Sequence, residues 1–294
     1  MHLCTDCPRN CGADKSLYKG FCKTGEKVKI AKASLHFWEE PCISGKNGSG
    51  TVFFSGCNLK CCFCQNYKIS SENFGQEISD ERLSEIFLEL QNKGAHNINL
   101  VTPSHFIKNI INALQKVKNN INIPIIYNTS GYDKPQTIKI LNQYVDIYLT
   151  DIKFFDNELS KKYLKCENYF ETVKKSLDIM IKTKGKPIFE NNLLKKGTII
   201  RHLVMPSCYK DSLKILDYLY ENYSKDDFIF SIMSQYIPFY QSCNFPEINR
   251  KITTYEYNKV IERAEKYGFK GYFQQKSSAK EDYIPKFDLT GVNF

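Results

Sequence analysis

Cysteines in one short loop set the chemistry of this chain. Residues 51 to 67 read Thr-Val-Phe-Phe-Ser-Gly-Cys-Asn-Leu-Lys-Cys-Cys-Phe-Cys-Gln-Asn-Tyr, a β-branched and aromatic run followed by a cysteine-rich loop. Cys57, Cys61 and Cys64 have the spacing Cys-x3-Cys-x2-Cys, which lets one tight loop bring three thiolates to a single [4Fe-4S] cluster. Electron-transfer clusters ordinarily take four cysteines, so a loop of three leaves one iron for an exogenous ligand. Cys57, Cys62 and Cys64 form a rival set; Cys62 is read instead as a small apolar filler. The plainer readings are zinc, a disulfide or buried thiols. Structural zinc wants four closed ligands, and disulfide frameworks belong mainly to small secreted domains.

A second group, Cys4, Cys7, Cys11 and Cys22, lies among turns at Pro8, Gly12 and Gly20. Two close pairs separated by a loop suit a tetrahedral zinc ion and equally a second iron-sulfur cluster. Reduced structural cysteines in a small irregular cap are the alternative. Farther on, His36, Glu39 and Glu40 offer an acid-base set, although carboxylates before a turn rich in proline and glycine are expected to be solvated.

The elements that would position these groups alternate regularly from residue 51, which indicates a βα-repeat architecture with parallel strands. Strands are expected at 51–55, 97–101, 123–127, 145–149, 197–204 and 228–233, with a short terminal strand at 272–274. A helix capped by Ser79 carries Leu83, Ile86, Phe87 and Leu90 on one face. Ser104 is expected to cap the next helix, one long helix to cover about 158–183, and the last to end at Gly268. Residues 28–38 read as an extended or edge segment. The division expected is a cysteine-rich N-terminal extension over 1–50 and a barrel over 51–294.

Ligands of parallel α/β folds collect at the C-terminal ends of strands. That rule selects Thr102 and His105, Asn128 and Ser130, Asp151 and Lys153, Arg201, and Gln235. Each has a bland reading. Asp151 and Lys153 can form a strand-end ion pair, Asn128 and Ser130 can shape the turn at Gly131, and His105 and His202 are read as structural.

Composition excludes several classes. The 294 residues are 42% hydrophobic and 14% aromatic, which describes a globular chain with a substantial core. No run approaches the roughly 18 apolar residues of a membrane span. The net charge of +9 comes from scattered lysines rather than a basic stripe, which argues against nucleic acid. The start of the sequence lacks an apolar secretory stretch, so a reducing cytoplasmic setting is expected, in which 12 cysteines point to metal before disulfides.

The cysteine loop resembles that of the radical S-adenosylmethionine (radical SAM) enzymes. Further segments extend the likeness over most of the chain: Cys-Pro-Arg-Asn-Cys-Gly, Glu-Glu-Pro-Cys-Ile-Ser-Gly, Gly-Ala-His-Asn-Ile-Asn-Leu-Val-Thr-Pro, Asp-Ile-Lys, Arg-His-Leu-Val-Met-Pro and Met-Ser-Gln-Tyr. Together they resemble the pyruvate formate-lyase activating enzyme homologues within that superfamily. The resemblance implies a partial (βα)6 TIM-type barrel with one site-differentiated [4Fe-4S] cluster, whose open iron chelates S-adenosylmethionine. It also implies reductive cleavage of that cofactor to a 5'-deoxyadenosyl radical, hydrogen abstraction from a protein glycine, and a flavodoxin or ferredoxin as reductant. A peptide, a small molecule or RNA are the alternative substrates, and a nonenzymatic metal-binding or electron-transfer module is the rival class. On this resemblance Phe63 lies near the adenine, with core packing as its other reading. Lys153 or Arg201 suits the cofactor carboxylate; Asn128, Ser130 or Asp151 suits the ribose; Thr102 and Gln235 complete the strand-end set. Activases usually present Gly-Gly-Glu after the second strand, where this chain has Thr102-Pro103-Ser104.

Overall fold

The computed structural model describes residues 3–17, 19–274 and 285–293. Its elements run β1 (Val28–His36), α1 (Pro41–Ser44), β2 (Ser49–Phe54), α2 (Tyr67–Ser70), β3 (Gln76–Ile78), α3 (Asp80–Asn92), β4 (Ile98–Val101), α4 (Ile107–Val117), β5 (Ile125–Thr129) and α5 (Pro135–Leu141). They continue with β6 (Ile147–Asp151), α6 (Asn157–Leu164), α7 (Tyr169–Lys184), β7 (Ile188–Glu190), β8 (Leu193–Leu203), α8 (Tyr209–Asn222), β9 (Ile229–Met233), α9 (Thr254–Tyr267) and β10 (Gly271–Phe273). The sheet order is β10-β9-β8-β6-β5-β4-β2-β1-β3, with β7 paired to β8.

Strands β2, β4, β5, β6, β8, β9 and β10 pair in parallel. The parallel strands are those expected from the alternation, and their arrangement is the partial TIM-type barrel that the resemblance implies. β1 pairs antiparallel with β2, and β3 with β1, so residues 28–36 belong to the same sheet as the barrel strands.

Alternation along each strand separates two cores. On β8, Ile199 faces inward with Ile126, Ile147, Leu149 and Ile229, against Cys42 and Ile43 of α1. Ile200 and the next outward position, His202, face the helices instead, where His202 Nε2 meets the Ser212 hydroxyl of α8 at 2.8 Å. The short α1 therefore plugs one end of the barrel. Each fully buried Ile or Leu there contributes roughly 1.5–3 kcal/mol.

Local signals explain most boundaries. Ser79 accepts from the Arg82 N–H, with Asp80 and Glu81 in the first turn of α3. A reciprocal Thr253–Glu256 capping box opens α9, which ends on Gly268 at φ 68°. Two expectations fail. The single helix over 158–183 is broken after Leu164, where Lys165 takes φ 55° and closes α6 before α7 begins at Tyr169. Nor does Ser104 cap α4: its hydroxyl accepts from the Tyr127 hydroxyl at 3.2 Å, and α4 begins without a side-chain cap.

Candidate active site

Each strand-end polar group is delivered by the strand before it. Asn128 and Thr129 end β5, Asp151 ends β6, Arg201 lies near the end of β8, and Met233 ends β9. Gly131 permits the close approach of two of these ends. It sits at φ 79°, and a Cβ there would stand 2.5 Å from the Asp151 carbonyl.

A cavity of about 270 Å³ opens at the C-terminal end of the barrel. Cys57, Cys61, Phe63 and Cys64 line one part of it; Thr102, Asn128, Ser130, Asp151, Lys153, Arg201 and Gln235 line the rest. His105 stays outside, with Nε2 against the Ser55 carbonyl at 2.7 Å. Cys62 turns away into the apolar core beside Tyr163 and Tyr236. Phe63 does two things, lining the cavity while its ring packs edgewise on Phe154 and Tyr236.

One ionic network crosses the barrel interior. Arg201 donates to Asp151 at 2.9 Å, to Glu39 at 3.1 Å and to the Asn128 amide oxygen at 2.8 Å. Lys153 Nζ donates to the second Asp151 oxygen at 2.7 Å. Burial would raise the Asp151 carboxyl, but Lys153 and Arg201 hold it below the ordinary carboxylate range. For Lys153, burial works downward, and Asp151 with the Cys61 sulfur more than offsets it.

Glu39 corrects the sequence reading. Its side chain is 9% exposed rather than solvated, because it turns in against β5 and β8, where Asn128 and Arg201 donate to it. Burial raises the Glu39 carboxyl despite Arg201. His36 is not joined to Glu39 or Glu40 by any hydrogen bond or ion pair among the described residues; its ring meets Phe53 edge-on at 5.9 Å, and Lys32 is the charge that acts on it. Two further groups carried no signal at sequence level. The Ser70 hydroxyl lies 3.2 Å from the Cys64 sulfur, and Lys60 Nζ donates to the Cys57 carbonyl at 3.3 Å and the Ser70 carbonyl at 3.2 Å.

Residues 51–207 match the Radical SAM superfamily. The chain belongs to the radical SAM superfamily. It is 33% identical over 277 residues to an uncharacterized protein of Methanocaldococcus jannaschii, covering 90% of this chain and 75% of that one. Among solved structures it is similar to SuiB of Streptococcus suis bound to S-adenosylmethionine, at TM-score 0.48 and 15% identity, covering 74% of this chain. The chain spans about half of SuiB, 47%. It is also similar to a domain of the pyruvate-formate lyase-activating enzyme of Bacteroides vulgatus, at TM-score 0.40 and 13% identity, over 59% of this chain and 91% of that one.

As a radical SAM protein the chain is an enzyme that uses a [4Fe-4S] cluster and S-adenosylmethionine. Its loop fits such a group. Cys57, Cys61 and Cys64 are unbridged thiols lining one cavity. The Leu59 N–H points at the Cys57 sulfur at 3.4 Å, and the Asn66 N–H at that of Cys64, donors suited to thiolates. Burial pushes all three thiols up, so ligation there must expel protons.

Among the described residues, no three His, Cys, Asp or Glu side chains are arranged to hold a single metal ion. One tetrahedral zinc would need sulfurs about 3.8 Å apart, whereas the corners of a cluster stand farther apart. Cys4, Cys7, Cys11 and Cys22 nevertheless share one neighbourhood, with Cys7 feeling the other three electrostatically. Backbone N–H groups of Asp6, Arg9 and Ala13 point at the sulfurs of Cys4, Cys7 and Cys11, each two residues on. No helix among the described residues is long and apolar enough to cross a membrane.

Proposed function

We propose that Cys57, Cys61 and Cys64 hold the radical SAM cluster and that the strand-end polar set holds S-adenosylmethionine beside it. The observation that carries this reading is the cavity itself, which has the three thiols and the Asp151–Lys153 pair on one continuous lining. Lys153 presents an ammonium to the cofactor carboxylate, and Asp151 keeps that ammonium charged. Asn128 and Ser130 offer amide and hydroxyl groups to the ribose. Arg201 is already committed to Glu39, Asp151 and Asn128, so it shapes the site more than it binds the carboxylate. When bound, the cluster and cofactor supply one-electron cleavage of a carbon–sulfur bond and, from the resulting fragment, abstraction of a substrate hydrogen.

A protein glycine is the substrate favoured by the resemblance to activases. A small molecule or peptide is the second reading, favoured by Thr102-Pro103-Ser104 where activases usually present Gly-Gly-Glu. Anaerobic reconstitution, reduction and assay of 5'-deoxyadenosine and methionine test the reading. Both products are expected from the wild type; stoichiometric cofactor binding without cleavage would leave only a binding module.

The four N-terminal cysteines are a separate proposal, a second metal group. The backbone N–H groups aimed at three of their sulfurs support it. Metal analysis of the variant lacking Cys57, Cys61 and Cys64 should still find zinc or iron, and a folded but metal-free variant would end the proposal.

A further inference from the structure

A second cavity, of about 790 Å³, lies beside the first. Arg201, Met233 and Gln235 line both, so its occupant would abut whatever fills the cofactor cavity. Hydrogen abstraction demands that kind of adjacency between cofactor and substrate.

The charge around the second cavity is unbalanced. Asp151 is satisfied by Arg201 and Lys153, and Glu39 by Arg201. Glu40, 8% exposed and lining the second cavity, forms no ion pair among the described residues. Its carboxyl is raised by burial, with Arg201 and the Ser231 hydroxyl opposing. Among the described residues lining this cavity, two carboxylates, Glu39 and Glu40, thus share one cation, Arg201. Two further observations point to a ligand. The Gln274 side-chain oxygen lines the same cavity, shielded from solvent and without a hydrogen-bond partner. Phe37 and Trp38, 50% and 64% exposed, stand along the lining, and aromatic faces attract cations.

We propose that the second cavity is the substrate chamber and that it seats an organic ammonium group against Glu40. This rests on the radical SAM reading above and adds the substrate's chemical class. The ammonium supplies the missing cation, Gln274 accepts one of its N–H groups, and the Trp38 and Phe37 rings cover its apolar part.

Trp38 is the chain's only tryptophan, so its fluorescence reports on this cavity. Benzylammonium, titrated into the reconstituted protein with S-adenosylmethionine bound, should change that fluorescence saturably. Benzyl alcohol, its neutral counterpart, should bind at least tenfold more weakly. Glu40→Gln should lower benzylammonium affinity at least tenfold. Equal binding of amine and alcohol, or no effect of Glu40→Gln, overturns the proposal, and the wild-type comparison stands even if the variant does not fold. Formation of 5'-deoxyadenosine by the wild type, measured alongside, separates the two readings. Its presence with no preference for the cation sinks the chamber alone; its absence sinks the catalytic reading whatever the cation does.

Discussion

Arg201 and Asp151 face each other in register on β8 and β6, joined by a 2.9 Å bond from Nε to the carboxylate. Both side chains are largely shielded, at 17% and 16% exposure, and removal of the Arg201 charge leaves Asp151 with Lys153 alone and buried Glu39 with no ion-pair partner among the described residues. Breaking a buried pair costs about 3–5 kcal/mol. Arg201→Met should therefore destabilise the fold by that order, read as a lower urea midpoint.

Lys153→Met should behave differently. A charge-assisted bond to a carboxylate contributes roughly 1.5–3 kcal/mol, which corresponds to about 10- to 150-fold weaker cofactor binding. Titration of S-adenosylmethionine into each cluster-loaded variant checks this. Unchanged affinity in Lys153→Met, with a large loss in a folded Arg201→Met, would move the carboxylate contact to β8.

Alanine at Cys57, Cys61 or Cys64 should abolish the brown cluster chromophore and all cofactor cleavage. Cys62→Ala should keep both, because that thiol is buried in the core away from the cavity. Retention by Cys61→Ala with loss in Cys62→Ala would reverse the assignment.

Thr102 sits at φ 60°, a region costly for a β-branched residue and free for glycine. Relief of strain of order 1–3 kcal/mol outweighs the added freedom of glycine in the unfolded chain. Thr102→Gly should thus leave stability unchanged or raise it by about 1 kcal/mol, measured by urea unfolding. A clear loss would mean that the threonine side chain makes a contact the fold depends on.

His202 supplies a pH signature. Its Nδ1–H donates to the Ile152 carbonyl at 2.7 Å while Nε2 accepts from Ser212, so the neutral ring is satisfied on both sides. Burial lowers its pKa from 6.5 to about 4, with the Ile152 contact opposing. A depressed folded value means that its stabilisation is complete above pH 6.5 and is lost as the pH falls through about 4. The full loss is of order 3 kcal/mol. Urea midpoints should fall more steeply with acidification in the wild type than in His202→Gln, and parallel profiles would rule the effect out.

The strand-end residues could be picked from sequence because parallel strands announce themselves by short apolar runs, and the site lies where those runs stop. Asp151, Lys153 and Asn128 were found that way. Glu39 was not, since nothing local distinguishes a carboxylate before Pro41 from a solvated one; only its contacts with Asn128 and Arg201, far along the chain, set it apart. The break at Lys165 was hidden for a related reason. No glycine or proline marks it, and the left-handed turn there is imposed by packing, with the Lys60 and Cys62 N–H groups bonded to the Leu164 and Tyr163 carbonyls.

The N-terminal cysteine segment is fastened to partners that come much later in the chain. Arg9 donates to the Asn58 carbonyl at 2.7 Å and lies over the Tyr132 ring at 5.5 Å, while Lys15 reaches the His105 carbonyl at 3.0 Å. The Cys22 carbonyl sits against Gly56, where an added Cβ would stand 2.5 Å away. Chains emerge from the ribosome in order, so the first cysteines made cannot reach their final seats until Tyr132 has appeared. The seat of the segment is therefore set jointly by the stretches after β2, β4 and β5, which carry Asn58, His105 and Tyr132.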